Sequence, residues 1–168
     1  FSKNDREGFY SWSGLRYFLY EYELYLQDNA NMKVSWEDFN KRKKEDTIEH
    51  IYPQSPNDIY WKNRFGHLKP SEKRQYLNSL GNLLLLNRSK NSKLQNYDFD
   101  KKKCLLNKDG KEIGYYNGSY SEIEVSKHKE WTPDEIKKRG LLMLQFMEER
   151  WKFSFDNWNI SKEDILFP

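Results

Sequence analysis

Glu49 and His50 stand side by side in the stretch DTIEHIYPQSP, residues 46–56, of a 168-residue chain with three histidines. The pair could do chemistry. A carboxylate offers a hard anionic oxygen to a divalent cation, and a neutral imidazole titrates near working pH and can take a proton from water. The plainer reading makes Thr47, Ile48, Ile51 and Tyr52 a strand, with His50 incidental to it. Neighbouring strand residues point to opposite faces, so Glu49 and His50 serve one site only if the strand stops there, and Pro53 argues that it does. Downstream, Asn82 opens the apolar run NLLLLN and Asn91 lies in the polar stretch RSKNSKLQN. If these are a strand and a helix packed on the first strand, His50 and a helix-borne asparagine converge on one small pocket.

Composition narrows the cofactor. The single cysteine, Cys104, excludes an internal disulfide and a zinc site built on four cysteines. Any metal must therefore sit on oxygen and imidazole ligands, which favours Mg²⁺ or Mn²⁺. Aromatic residues make up 17% and charged residues 33% of the chain, the balance of a folded domain with a sizeable core. No apolar run approaches a membrane span and no signal pattern opens the chain, so a cytoplasmic protein with no membrane partner is expected. The chain starts at Phe1 without an initiator methionine, as a piece of a longer protein would.

A net charge of +3 is too small to identify a nucleic-acid binder. Its distribution says more. Lys41, Arg42, Lys43 and Lys44 precede the Glu49-His50 pair, and Arg88, Lys90, Lys93 and Lys101 to Lys103 follow it. Two basic clusters flanking a candidate site suit phosphate contacts, although such runs are commonly just solvated faces.

The positioning elements read as follows. SGLRYFLYEYELYLQ, residues 13–27, places Leu15, Phe18, Leu19, Tyr22 and Leu26 at helical spacing, with Arg16, Glu21 and Glu23 elsewhere. QDNANMK breaks that helix, and SWEDFNKRKKED predicts a short second one capped by Ser35. PSEKRQYLNSL predicts a helix with Pro70 near its start, closed by Gly81. The run 82–87 reads as a buried strand, followed by a polar helical turn or two. CLLNKDGKEIGYYNGSYSEIEV, with its Asp-Gly and Asn-Gly pairs, predicts a hairpin or irregular β segment. TPDE, residues 132–135, predicts a helix start with a capping box of Thr132 and Glu135 and with Pro133 at the first helical position, and the helix carries Ile136, Met143, Leu144, Met147 and Trp151 on one side. His67 and His128 read as surface residues, Phe99 as a packing residue, and Tyr52 or Trp61 as candidate exposed rings for base stacking. The sum is an α+β chain, mainly helical, with a small β insertion.

IEHIYPQS followed by LGNLLLLNRSKN resembles the HNH, or ββα-metal, nuclease superfamily. With SGLRYFLYEYE before and NYDFDKKK and EWTPDEIKKRG after, the order is similar to the C-terminal nuclease domain of GmrSD-type modification-dependent restriction enzymes and of the related SspE proteins. The resemblance implies one nuclease domain over residues 1–168: a helical part over about 1–45, a ββα-metal core over 46–103, and a hairpin with C-terminal helices over 104–168. It implies that His50 is the general base, that Asn82 orients the His50 loop and ring, and that Glu49 and Asn91 hold one Mg or Mn ion, with Asn87 and Asn96 as rivals for Asn91. It further implies contacts from Arg88, Lys90, Lys93, Lys101, Lys102 and Lys103 to the backbone of double-stranded DNA. An N-terminal nucleotide-hydrolysing sensor domain is implied outside this chain, and there is room for a homodimer. The activity implied is a metal-dependent endonuclease or nickase of an anti-phage restriction system. A catalytically silent DNA-binding or assembly module and an RNA-directed nuclease are the alternatives.

Overall fold

The apolar run after Asn82 is continuous, not alternating, because both faces of its strand are covered. In the computed structural model, which describes residues 8–28 and 35–167, β1 (Asp46–His50) pairs antiparallel with β2 (Leu83–Asn87), Asp46 opposite Asn87 and His50 opposite Leu83. Leu83 and Leu85 enter one core with Leu15, Phe18 and Leu19 of α1 (Leu15–Leu26) and Met143 and Phe146 of α8 (Pro133–Trp151). Leu84 and Leu86 enter a second core with Tyr52, Trp61, Phe99, Tyr115 and Trp131. Each buried leucine contributes about 2 kcal/mol. Apolar residues on both faces do not by themselves fix the strand register; polar groups do. Thr47 Oγ1 donates to the Leu86 carbonyl at 3.1 Å, and Arg139 Nη1 donates to those of Gly81 and Leu83, both at 2.9 Å.

Around this hairpin the elements follow the chain. Ser35 caps α2 (Trp36–Glu45) by accepting from the Asp38 amide, as its position predicts, and α2 runs directly into β1. The connection between the strands holds α3 (Ile59–Phe65) and α4 (Pro70–Asn78). Asn87 ends β2 and caps α5 (Arg88–Leu94), its side chain accepting from the Ser89 amide, so β1, β2 and α5 make a ββα unit. α6 (Phe99–Lys103) buries Phe99, and a small hairpin of β3 (Leu105–Leu106) and β4 (Glu112–Ile113) turns at Gly110 with φ +72°. The chain is mainly helical α+β, as its sequence predicts, and none of the described helices is long and apolar enough to cross a membrane.

Three readings need correction. The second half of the supposed β segment is helix α7 (Tyr120–Ser126), because Ser119 and Glu122 form a reciprocal capping box and the Glu23 carboxylate accepts from the Tyr120 and Ser121 amides, both at 2.8 Å. Glu21 and Glu23, which their spacing sets off the apolar stripe of α1, are not solvated. Both are buried, Glu21 against Arg150 at 2.7 Å. At α8, Thr132 bonds the Glu135 side chain and makes no side-chain bond to the backbone, so the helix starts there without the full box. Of the predicted break after α1, only Gln27 and Asp28 lie within the described residues. α9 (Lys162–Leu166) closes the fold against α8.

Candidate active site

Asn82 is fully buried and uses its whole amide. Its Oδ1 accepts from the Tyr52 amide at 2.7 Å and from Trp131 Nε1 at 3.1 Å, while its Nδ2 donates to the Tyr52 carbonyl at 3.0 Å and the Leu77 carbonyl at 2.9 Å. Its own carbonyl accepts from the Ile51 amide at 3.0 Å. The chain beyond His50 is thus bolted to the start of β2. Gly81 allows this closeness: a Cβ there would lie 2.0 Å from the Ile136 carbonyl oxygen of α8. Asn82 holds the loop after His50, but the ring is held elsewhere.

The His50 imidazole is 6% exposed, lies against the Tyr10 ring at 4.5 Å between centroids, and its Nε2 is 3.3 Å from Asn78 Oδ1 at the end of α4. Donation to that carbonyl oxygen places the proton on Nε2 and leaves Nδ1 as the basic nitrogen. Burial pushes the imidazole down to about 4, opposed by the bond to Asn78 and reinforced by nearby Lys102. His50 is therefore neutral at physiological pH and able to accept a proton.

Glu49 points to the other face, into the second core. Its Oε1 accepts from Lys102 Nζ at 2.6 Å and from the Tyr115 hydroxyl at 3.0 Å, and Lys102 also donates to the His50 carbonyl at 3.0 Å. Burial drives the Lys102 amine down while the adjoining carboxylate drives it up; burial and the same carboxylate raise Tyr115 well above the usual phenol range, so its hydroxyl stays a donor.

Asn91 lies within α5 with Nδ2 2.8 Å from Thr47 Oγ1. The one Thr47 hydroxyl proton goes to the Leu86 carbonyl, so Thr47 can only accept from Asn91. That fixes the amide with Nδ2 toward the strand. Asn91 Oδ1 and Glu49 Oε2 make no hydrogen bond among the described residues. Both residues line one cavity, and among the described residues no group of three or more His, Cys, Asp or Glu side chains is placed to hold a metal ion.

That cavity, about 310 Å³, is lined by Glu49, His50, Asn91, Tyr10, Gln54 and Arg88 among others. Gln95, also on its wall, ends α5 at φ 37° and ψ −122°, a strained conformation for a residue with a side chain. Arg88 and Ser92 also line an adjoining depression of about 610 Å³, with Lys44 and Lys93 on it. Of the predicted ion ligands and base, Glu49, His50 and Asn91 share the first cavity, Asn96 lies on its rim, and Asn87 is the cap of α5.

The basic residues divide. Arg88 and Lys93 are exposed on the groove. Lys102 is fully buried against Glu49 and cannot reach a phosphate from there, and Lys90 is turned to Glu122 at 2.7 Å and the Gly114 carbonyl at 3.0 Å. Lys101 is paired with Asp98, and Lys103 with Asp100. Tyr52 and Trp61, candidates for base stacking, are core residues at 3% and 0% exposure. His67 is exposed as predicted, whereas His128 is half-buried edge-on to Trp131. Asn78, Tyr10 and Tyr115 are additions from the fold. No local pattern marks them, since each reaches the site from an element distant in the chain.

Neither the comparison with curated proteins nor that with solved structures finds a match. The family described as GmrSD restriction endonucleases, C-terminal domain, matches residues 2–146, a span that contains the ββα unit, Asn78, Lys102 and Tyr115. The chain belongs to the family of C-terminal domains of GmrSD restriction endonucleases.

Proposed function

We propose that this chain is an HNH-type, Mg²⁺- or Mn²⁺-dependent DNA endonuclease or nickase, the effector domain of a modification-dependent restriction system. The observation that carries the reading is that Glu49, His50 and Asn91 line one cavity, with the His50 imidazole held neutral by burial. His50 Nδ1 takes a proton from water as the water oxygen bonds to phosphorus and the bond to the 3′ oxygen breaks, the departing oxygen taking a proton from solvent, which leaves a 5′-phosphate and a 3′-hydroxyl. Asn78 holds the ring in the tautomer that leaves Nδ1 basic, and Asn82 holds the backbone beyond it. Glu49 and Asn91 would hold the metal ion, which supplies charge neutralisation at the phosphate and the leaving oxygen. Arg88, Lys93 and Lys44 line the path for the strand backbone.

Supercoiled plasmid incubated with Mg²⁺, with Mn²⁺ and with chelator, beside His50→Ala, tests the reading. Metal-dependent conversion that His50→Ala abolishes is expected, with open-circle product marking nicking and linear product marking double-strand cutting. Equal cutting by His50→Ala refutes the catalytic assignment. The rival, a silent DNA-binding module, draws on the ion pair that already occupies one Glu49 oxygen; it predicts retained binding with no conversion under either metal.

A further inference from the structure

The His50 ring is held from outside the ββα unit. Its Nε2 meets Asn78 Oδ1 at 3.3 Å, a long bond about which the imidazole could still pivot. A face contact opposes that pivot: the Tyr10 ring lies 4.5 Å from the imidazole, centroid to centroid, tilted by 48°. Tyr10 stands on a short 3₁₀ turn, Gly8–Ser11, in which Phe9 is buried in the core around α1 and the Ser11 hydroxyl donates to the Gly8 carbonyl at 3.1 Å. The same turn abuts Asn78. At Gly8, where φ is +46°, a Cβ would lie 3.1 Å from the Asn78 carbonyl oxygen and 3.2 Å from the Asn78 Cβ. One segment ahead of α1 therefore covers the imidazole and backs the residue that bonds it. Tyr10 itself is 38% exposed and lines the cavity, so the turn stays anchored through Phe9 without it. The charged groups near the imidazole belong to other elements: Lys102 of α6, paired with Glu49 of β1, and Arg88 of α5 on the cavity wall.

Building on the proposed nuclease site, we infer that Tyr10 is a positioning residue for His50: its ring, carried on the turn that also backs Asn78, fixes the plane of the imidazole and keeps water off one face. A fixed plane gives the Nδ1 lone pair one direction, which a general base needs when the water it activates must be in line with phosphorus. Exclusion of water from the ring also keeps it neutral, because desolvation disfavours the imidazolium, and Lys102 adds to that effect. The role needs an aromatic ring at Tyr10 and not its hydroxyl.

The test follows the whole chain, isotopically labelled at histidine and tyrosine, by nuclear magnetic resonance, with His67 and His128 as internal references. In the unmutated chain at neutral pH the ring nitrogens of His50 should report one tautomer, protonated at Nε2, and the ring protons of Tyr10 and His50 should show cross-relaxation. Absence of that cross-relaxation overturns the inference without any variant, so the matter is decided even where Tyr10→Ala does not fold. Tyr10→Ala should mix the two tautomers and raise the His50 titration midpoint, about 4 in the parent, by about one pH unit, which is about a tenfold gain in proton affinity. Tyr10→Phe, which keeps the ring, should retain both the tautomer and the midpoint. A folded Tyr10→Ala with tautomer and midpoint unchanged overturns the inference. Plasmid conversion at saturating enzyme should slow about tenfold in Tyr10→Ala, its acid limb moving to higher pH, while duplex affinity by fluorescence anisotropy stays within about threefold. Weakened duplex binding with an unmoved imidazole would make Tyr10 a DNA contact and overturns the inference. Cutting by Tyr10→Ala at the parent's rate and with the parent's acid limb overturns it alone; the expected change in titration, in a chain that cuts no plasmid even unmutated, overturns the nuclease reading and leaves the hold of Tyr10 on His50 in place.

Discussion

Asn82→Ala removes one buried side chain and four hydrogen bonds, to the Tyr52 amide and carbonyl, the Leu77 carbonyl and Trp131 Nε1. At about 1 kcal/mol net per bond the loss is roughly 4 kcal/mol, a large part of the 5–15 kcal/mol, roughly, that holds a domain together. With a urea slope of about 2 kcal/mol per M, the unfolding midpoint should fall by about 2 M. Asn82→Asp adds a sign. One carboxylate oxygen would face the Tyr52 and Leu77 carbonyl oxygens and could donate to one of them only when protonated. The folded state then holds a proton that the unfolded chain releases, so this variant should lose stability relative to the parent as pH rises from about 4 to 7. Equilibrium urea unfolding by circular dichroism at several pH values reads both effects. A midpoint shift below about 0.5 M for Asn82→Ala would show that the amide network does not anchor the turn, because less than one hydrogen bond would then have been lost.

Burial holds His50 down to about 4, below the ordinary histidine value, so the unfolded chain binds a proton that the folded chain refuses between about pH 6.5 and 4. Stability should therefore fall with pH across that window by roughly 3 kcal/mol and level off below it; His50→Gln should flatten this limb in pH-dependent urea titrations, and an unchanged limb would remove His50 as its source. Gly81→Ala places a methyl carbon 2.0 Å from the Ile136 carbonyl oxygen, so α8 or the Asn82 turn must move; thermal unfolding should show a loss of about 3 kcal/mol, and a stability equal to the parent refutes the close approach. Arg88→Ala and Lys93→Ala should each weaken binding to duplexes of any sequence and reduce the salt slope by about 1. Lys90→Ala, whose ammonium is already spent on Glu122 and Gly114, should leave that slope unchanged.

The order of the working parts was legible in the chain. Glu49-His50 before a proline, Asn82 at the head of an apolar run and Asn91 as the fourth residue of the polar stretch RSKNSKLQN were enough to predict strand, strand and helix, because side-chain periodicity and capping are local and Asn87, Ser35 and Pro70 act on their immediate neighbours. The helix at 120–126 was legible in part, through Ser119 and Glu122, but the Asp-Gly and Asn-Gly pairs outweighed that signal, and the Glu23 carboxylate that completes the cap comes from 97 residues away. What only the tertiary structure decided is where each charged side chain points. A lysine run looks alike whether solvated or buried, yet Lys101 faces water, Lys102 sits inside against Glu49, and Lys103 lies against carbonyls. The helical turn sends three adjacent residues in three directions, and the partner that turns one of them inward belongs to β1, more than fifty residues earlier in the chain.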